Sequence, residues 1–270
     1  MLLRNPRVAK ILFGEDASAL EIVALAQRET EAGKTRTHEE GPMTFLQRLL
    51  MNQRANPKSI TDHEILTHTW GNIAAGGDTT ATAMRAVFYF LLQDPRVYDK
   101  LCAEVRQHLS HPVTFSEANS ITYLTACIQE AMRLHPSVGM ILGRTVPLGG
   151  ATVCGYELET GTEIGMNAWI LHRDPEVFSD PNTFYPERWL PEVTNANHLK
   201  AMQRSFFAFG HGAHTCSGRH ISFLETVKLV PTLLLRYDLE LVDEGKHYKF
   251  SNLWFTQQEG LLVRLLRRDD

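Results

Sequence analysis

Three groups of residues in this 270-residue chain have types and spacings that could do chemistry. The densest is the run Phe207-Ala-Phe-Gly-His-Gly-Ala-His-Thr-Cys-Ser-Gly218, which puts one thiol, Cys216, in a glycine-rich turn directly before an apolar segment with helical spacing. A thiol placed there faces a helix's unpaired N–H groups and the positive end of its dipole. That setting favours an anionic sulfur able to bind a metal. Glu130 and Arg133 stand three apart on one expected helix and so share a face. An isolated Glu-x-x-Arg is most often a surface ion pair of little consequence. Arg188, however, in Phe184-Tyr-Pro-Glu-Arg-Trp189, lies 28 residues before Cys216 and could complete a buried Glu–Arg–Arg cluster under the thiol loop. Asp78 and Thr79 follow Ala75-Gly76-Gly77, and both are poor helix formers on propensity. A carboxylate and a hydroxyl beside a helix distortion can hold water and pass protons.

The elements that must position these groups read as helical in the first half and mixed in the second. Ser18 with Glu21 predicts one capped helix, and a short helix follows around Phe45, Leu46, Leu49 and Leu50. Thr61 with Glu64 predicts another capping box, opening a helix over about 61–93 that runs to Pro95, with Gly76 and Gly77 marking a kink or bulge. Val97, Leu101 and Val105 support a further helix, and Ile121, Leu124, Ile128 and Met132 one over about 120–135, stopped before Pro136. Gly149-Gly150, Cys154-Gly155 and Thr160-Gly161 then punctuate short runs that suit small hairpins. A helical stripe returns after Cys216, where Pro231 is expected to kink or end the helix, and Leu261 to Leu266 reads as a strand.

Composition sets mild limits. With 43% hydrophobic and 21% charged residues the chain has the mix of a globular protein with a sizeable core, and its net charge of −4 gives no reason to expect a nucleic-acid partner. Cys102, Cys127, Cys154 and Cys216 form no Cys-x-x-Cys pair, which argues against a zinc knuckle or a secreted disulfide framework. The first three are expected to be core or half-buried thiols. The N-terminal residues do not form a signal sequence, and no apolar run approaches the ~20 residues of a spanning helix. No repeat or linker is visible, so one compact unit is expected.

In one order, Ala75-Gly-Gly-Asp-Thr-Thr80, Glu130-Ala-Met-Arg133, Phe184-Tyr-Pro-Glu-Arg188 and Phe209-Gly-His-Gly-Ala-His-Thr-Cys-Ser-Gly218 resemble the cytochrome P450 family of haem-thiolate monooxygenases. The resemblance covers about Leu20 to the C-terminus and implies a mainly α fold with small β-sheets. It implies haem b as cofactor, with Cys216 as axial ligand to the iron, a ligation that favours O–O cleavage. Phe209 would pack beside the sulfur, and Gly210, Gly212 and Gly218 would let the backbone turn under the porphyrin. Glu130, Arg133 and Arg188 would lock the loop. Thr79 with Asp78 behind it would handle dioxygen and relay the protons that make water the leaving group. Arg144 matches a propionate partner. His214 stands where the family usually has arginine and would serve the same carboxylates.

The resemblance further implies an apolar small-molecule substrate and NADPH-derived electrons arriving through a cytochrome P450 reductase or a ferredoxin-type donor. Trp70, Ile73, Ala74, Val138, Met140, Ile141, Trp254 and Phe255 fall where family members line the pocket, and each could equally be core. Trp169-x-x-x-Arg173 matches the family's propionate clamp in residue type, but that clamp precedes the long helix, so here it reads as coincidence. His211 and His220 are read as loop and surface residues. All the matched motifs belong to the family's C-terminal half, so residues 1–270 are expected to form one partial domain lacking the clamp helix and N-terminal strands. No membrane anchor is expected in this chain. An endoplasmic reticulum location, on the cytosolic face, would follow for an anchored full-length eukaryotic product. The alternatives are a non-catalytic haem-binding or interaction fragment, and a cysteine-dependent hydrolase that would leave Glu130, Arg133 and Arg188 unexplained.

Overall fold

The computed structural model describes residues 43–242 and 248–268, and the helix expected after Ser18 lies outside them. The chain divides into two compact units that part between Gly77 and Asp78, within one long helix. In the first unit, Thr44 opens α1 (Phe45–Ala55) with a reciprocal capping box to Gln47. Thr61 opens α2 (Asp62–Gln93) in the same way: its hydroxyl accepts the Glu64 N–H at 3.2 Å while Glu64 Oε2 accepts the Thr61 N–H at 2.8 Å. Two orphan donors at the helix start are thereby satisfied. Leu46, Leu50 and Ile65 form a small buried cluster. The span of α2 includes Gly76 and Gly77.

The second unit begins with the remainder of α2. Asp94 caps α3 (Pro95–His108), accepting the Val97 N–H, and Pro95 sits at the first helical position where its missing N–H costs nothing. α4 (Phe115–Ser120) and α5 (Thr122–Leu134) follow, and α5 ends at His135 because Pro136 disfavours the helical conformation before it. Ten of the 13 residues of α5 are buried, so it is surrounded on nearly every side. The short α6 (Ala168–Leu171), α7 (Ala196–Ser205) and α8 (Arg219–Arg236) complete the helices, with single 3-10 turns at Pro186–Trp189 and Gly212–His214.

α8 continues past Pro231 to Arg236, so the early end allowed by the sequence does not occur. Val227, Val230, Pro231 and Leu234 are all buried on one stripe against α3, α4 and α5. Tertiary packing therefore outweighs the lost hydrogen bond, a cost of roughly 3 kcal/mol for an interior proline.

The strands make four two-stranded antiparallel sheets among the described residues. β1 (Leu142–Thr145) pairs β4 (Glu163–Met166), and β2 (Ala151–Val153) pairs β3 (Tyr156–Leu158). β5 (Tyr237–Leu241) pairs β8 (Val263–Arg267), and β6 (Lys249–Asn252) pairs β7 (Thr256–Glu259). The β2–β3 turn is Cys154-Gly155, both at positive φ, which is the pattern of a tight hairpin. Cys154 is therefore exposed at a hairpin tip, not half-buried as expected, whereas Cys102 and Cys127 are buried thiols.

The central position of α5 has a direct consequence. Ile128→Ala, at a residue with no exposed surface, is expected to cost about 2–5 kcal/mol, read from the urea midpoint at unchanged slope. Ile170→Ala, at a residue 72% exposed, should stay within about 0.5 kcal/mol. Equal midpoints for the two variants would contradict this placement of the core.

Candidate functional site

Glu130 is the most heavily bonded side chain around the site. Being three apart on α5, Glu130 and Arg133 face each other, and the guanidinium grips the carboxylate in a bidentate pair, Nη2 to Oε1 and Nε to Oε2, both at 2.8 Å. The Pro186–Trp189 turn supplies Arg188 Nε to Oε1 at 3.0 Å and Trp189 Nε1 to Oε2 at 2.8 Å, and the Tyr185 N–H also donates to Oε1. Glu130 and Arg133 are fully buried and Arg188 nearly so. The surface-pair reading of this Glu-x-x-Arg is thereby excluded.

Two guanidinium groups against one carboxylate leave an excess positive charge in the interior, which is costly unless dipoles meet it. Backbone carbonyls do so. Arg133 donates to the carbonyls of His172, Pro181 and Thr183, so all five of its N–H groups are used, and Arg188 donates to those of Ser179 and Asp180. The chain from 172 to 189 is thus wrapped around the cluster by the requirement to satisfy it.

The thiol loop begins where α7 ends. The Phe207 N–H donates to His172 Nε2 at 2.7 Å, the Gly210 N–H returns to the Phe207 carbonyl, and the Cys216 N–H donates to the Phe209 carbonyl at 2.9 Å. Gly210 has φ +66, and a Cβ there would sit 3.3 Å from Leu142 Cδ1, so both backbone angle and space call for glycine. Gly212 needs only its positive φ. Gly218 sits at φ −83, an angle any residue adopts, and an added Cβ would make an ordinary 3.9 Å contact with Cys216 Sγ.

Cys216 is exposed, three residues ahead of α8, while Phe209 is half-buried against the main core. Arg144, on β1, reaches the loop: its Nη2 donates to the His211 carbonyl at 3.4 Å and its Nη1 to the Gly143 carbonyl. His214 is exposed on the Gly212–His214 turn.

Asp78 and Thr79 belong to another network. Asp78 is exposed and Thr79 half-buried, and the Thr79 carbonyl accepts the Ser137 hydroxyl at 2.7 Å. One turn on, Thr82 Oγ1 donates to the Thr256 carbonyl, and Thr256 donates its N–H to the Ser137 carbonyl and its hydroxyl to that of Pro136. Val138 and Phe255 form an isolated antiparallel bridge, while Met140, Ile141 and Trp254 are exposed. In the first unit, Trp70 and Ile73 are likewise partly exposed and Ala74 is half-buried.

Three further groups, the buried His172 and Glu187 and the half-buried Arg173, tie the site together. His172 spans the Arg133 carbonyl, 2.8 Å from Nδ1, and the Phe207 N–H. Arg173 lies over the Trp169 ring at 3.9 Å and donates to the carbonyls of Leu134 and Trp169 and to Asn182 Oδ1, so it caps the end of α5. Burial and the nearby Arg133 pull its pKa down to about 10. Glu187, next to Arg188, accepts from Arg96 at 2.5 Å and from the Tyr123 hydroxyl at 3.0 Å, tying the turn to α3 and α5. Burial pushes the Glu187 carboxyl up, but those donors outweigh it and hold the group below the usual carboxylate range. The dipeptides His172-Arg173 and Glu187-Arg188 were visible in the sequence, but no spacing linked them to partners so far along the chain.

Removing the central charge while keeping its shape, as in Glu130→Gln, leaves two guanidinium groups uncompensated. It is expected to destabilise by about 3–5 kcal/mol, measured by urea unfolding. A second expectation concerns acid. Burial is the main reason that His172 is held down at about 3 and His135 at about 4, against an ordinary value near 6.5. Their neutral forms are native, so the stability they contribute is complete above pH 6.5 and is lost as pH falls, because the unfolded chain takes up protons that the fold excludes. Between pH 7 and 5 the two together should remove about 3–4 kcal/mol. That window lies above the range in which Glu187 titrates, so the slope of unfolding free energy against pH there should approach two protons. A flat profile would contradict it.

The family model described as Cytochrome P450 matches residues 13–263. The chain is 39% identical over 231 residues to the cytochrome P450 monooxygenase cicH of Emericella nidulans, covering 83% of this chain and 46% of that protein. It is 34% identical over 275 residues to the cytochrome P450 monooxygenase ACRTS1 of Alternaria alternata, covering 98% of this chain and 71% of that one. It is 36% identical over 222 residues to a pisatin demethylase of Fusarium vanettenii, covering 82% and 42%. The chain thus spans about half the length of two of these relatives. No helix among the described residues is long and apolar enough to cross a membrane.

Proposed function

The chain belongs to the cytochrome P450 family, and from that premise we propose that the protein is a haem-thiolate monooxygenase that inserts one oxygen atom of O2 into an apolar small molecule. The overall change is R–H with O2, two electrons and two protons giving R–OH and water. The electrons come from NADPH through a reductase or a ferredoxin-type donor. The one family match, over residues 13–263, spans the boundary between the two units, in keeping with residues 1–270 being part of one such domain.

The observation that carries the reading is Cys216. It is an exposed thiol in a loop whose own N–H bonds hold the main chain, so that the sulfur is left for an outside partner, just ahead of a helix N-terminus. The donor set around it fits haem: a soft thiolate for iron, a half-buried Phe209 beside the loop, and cationic Arg144 with His214 on the same loop for the propionates. Haem supplies the one-electron and dioxygen chemistry. The chain's own residues do the rest. Cys216 Sγ binds, Glu130, Arg133 and Arg188 keep the loop in position, the Thr79 hydroxyl holds a proton where it is needed, and the exposed Asp78 carboxylate replaces it from solvent. Met140, Ile141 and Trp254 offer the apolar surface that a substrate of this kind requires.

A carbon monoxide difference spectrum of the reduced, haem-reconstituted chain tests the reading. The thiolate-type Soret band is expected, and Cys216→Ser should abolish it. With electrons supplied, Thr79→Ala should slow product formation by roughly a hundredfold or more, the usual span of a lost proton-transfer group. Absence of the thiolate band in the parent chain would overturn the proposal. A thiolate band without product from any apolar substrate would leave a haem-binding chain that does not turn over.

A further inference from the structure

His172 is fully buried, and both of its ring nitrogens and its carbonyl are bonded to groups of the site. α5 ends at Leu134, so the Arg133 and Leu134 carbonyls have no partner within the helix. Two consecutive side chains from just after α6 take them up: His172 Nδ1 lies 2.8 Å from the Arg133 carbonyl and Arg173 Nη2 donates to the Leu134 carbonyl, also at 2.8 Å. Arg133 reciprocates by donating to the His172 carbonyl. On the far side of the ring, Nε2 stands 2.7 Å from the Phe207 N–H, the first backbone donor after α7 and its cap.

A backbone N–H can only donate, so Nε2 is the acceptor and the proton is on Nδ1, where it meets a carbonyl that can only accept. The neutral imidazole satisfies both at once. The ring is held flat by stacking on Phe206, at 5.4 Å and 11°, and by the edge of Phe178 at 6.5 Å. The charged groups packed nearest are Arg133 and Arg173, and both disfavour a second proton on the ring.

We propose that His172 is the positioning residue of the thiol loop: its imidazole is the rigid spacer that fixes Phe207, and through it Gly210 and the Phe209–Cys216 pair, to the end of the Glu130–Arg133 helix. This rests on the haem-thiolate reading only for its consequence. The spacer itself is a property of the chain without haem. From Phe207 the loop's own bonds, Gly210 N–H to the Phe207 carbonyl and Cys216 N–H to the Phe209 carbonyl, carry the position to the thiol. Glu130 and Arg133 thus reach Cys216 through one imidazole.

The test uses the full chain first without haem. In the parent chain, the imidazole nitrogen resonances of His172 at pH 5 should be those of the neutral Nδ1–H form, with Nε2 accepting. A protonated ring, or the Nε2–H form, would overturn the proposal whether or not any variant folds. His172→Phe keeps the ring and its stacking but removes both nitrogens. Amide exchange at Phe207, Gly210 and Cys216 should then quicken about 10- to 100-fold, the usual cost of an unpaired buried amide, while the α5 amides of Ala131 and Met132 keep their protection. His172→Gln, whose amide can still accept from Phe207, should recover part of the loss. Unchanged loop exchange, or equal quickening in loop and α5, would sink the idea, because a merely structural histidine moves both together.

With haem added and reduced under carbon monoxide, the share of thiolate-type Soret signal should fall in His172→Phe and partly return in His172→Gln. If the parent chain shows no such signal while the exchange results hold, the monooxygenase reading fails and the spacer stands. If the signal is normal in His172→Phe, the spacer fails alone.

Discussion

Burying the Glu130 carboxylate between two guanidinium groups is the constraint on which the rest of this structure depends. A buried charge is tolerated only when its hydrogen-bonding capacity is filled, and here one carboxylate accepts from Arg133, Arg188, Trp189 and the Tyr185 N–H. The arginines in turn claim carbonyls at His172, Ser179, Asp180, Pro181 and Thr183. An irregular stretch of chain with almost no regular structure of its own is in this way given one conformation. A cluster of aliphatic side chains would bury comparable area without specifying which carbonyl points where. The ionic cluster therefore acts on the direction of the backbone more than on net stability, since buried pairs of this kind are often close to neutral in free energy against an apolar replacement.

The thiol loop takes the opposite solution. Its residues Gly210, Gly212, His214 and Cys216 bury little, and its shape comes from main-chain bonds and two left-handed glycines. Order is delivered at one end, where Phe207 is buried and bonded to His172, and at the other by the start of α8. A loop held at its ends, with its centre facing outward, can be well placed and still present its sulfur to an incoming group. Glycine is required at Gly210 for space as well as angle, because β1 passes with Leu142 against it. The same close approach explains how Arg144, two residues along β1, comes to reach the His211 carbonyl.

Much of this was legible in the sequence, and what was not has identifiable causes. The capping box at Thr61 and Glu64 and the stop before Pro136 are local signals, carried by residues within four positions of each other, and they appear as expected. The strand at the C-terminal end appears as β8, shifted by two residues. Pro231 does not end α8 early because its local cost is smaller than the burial it permits there. Cys154 misleads because a hairpin turn, not hydrophobicity, decides its exposure. The roles of Glu130, Arg133 and Arg188 came from motif order and not from any physical signal in Glu-x-x-Arg itself. His172 and Glu187 remained invisible because their partners are backbone groups or side chains 35 to 91 residues away.

The two networks of the candidate site share one short segment. At Arg133 and Leu134 the end of α5 carries the charged cluster and the caps from His172 and Arg173. At Pro136, Ser137 and Val138 the same segment receives Thr256, Thr79 and Phe255. Pro136 makes this possible, because it ends the helix and turns the following carbonyls and the Ser137 hydroxyl outward to be used. Six consecutive residues thus fix the thiol loop on one side and the Asp78–Thr79 stretch of α2 on the other. Two stretches tied to one short segment are thereby held at a constant separation. Both are suspended from the end of one buried helix, through the His172 imidazole on one side and the Ser137 hydroxyl on the other. The near-complete burial of α5 follows from the same need, since a frame that moved with solvent would not hold either side.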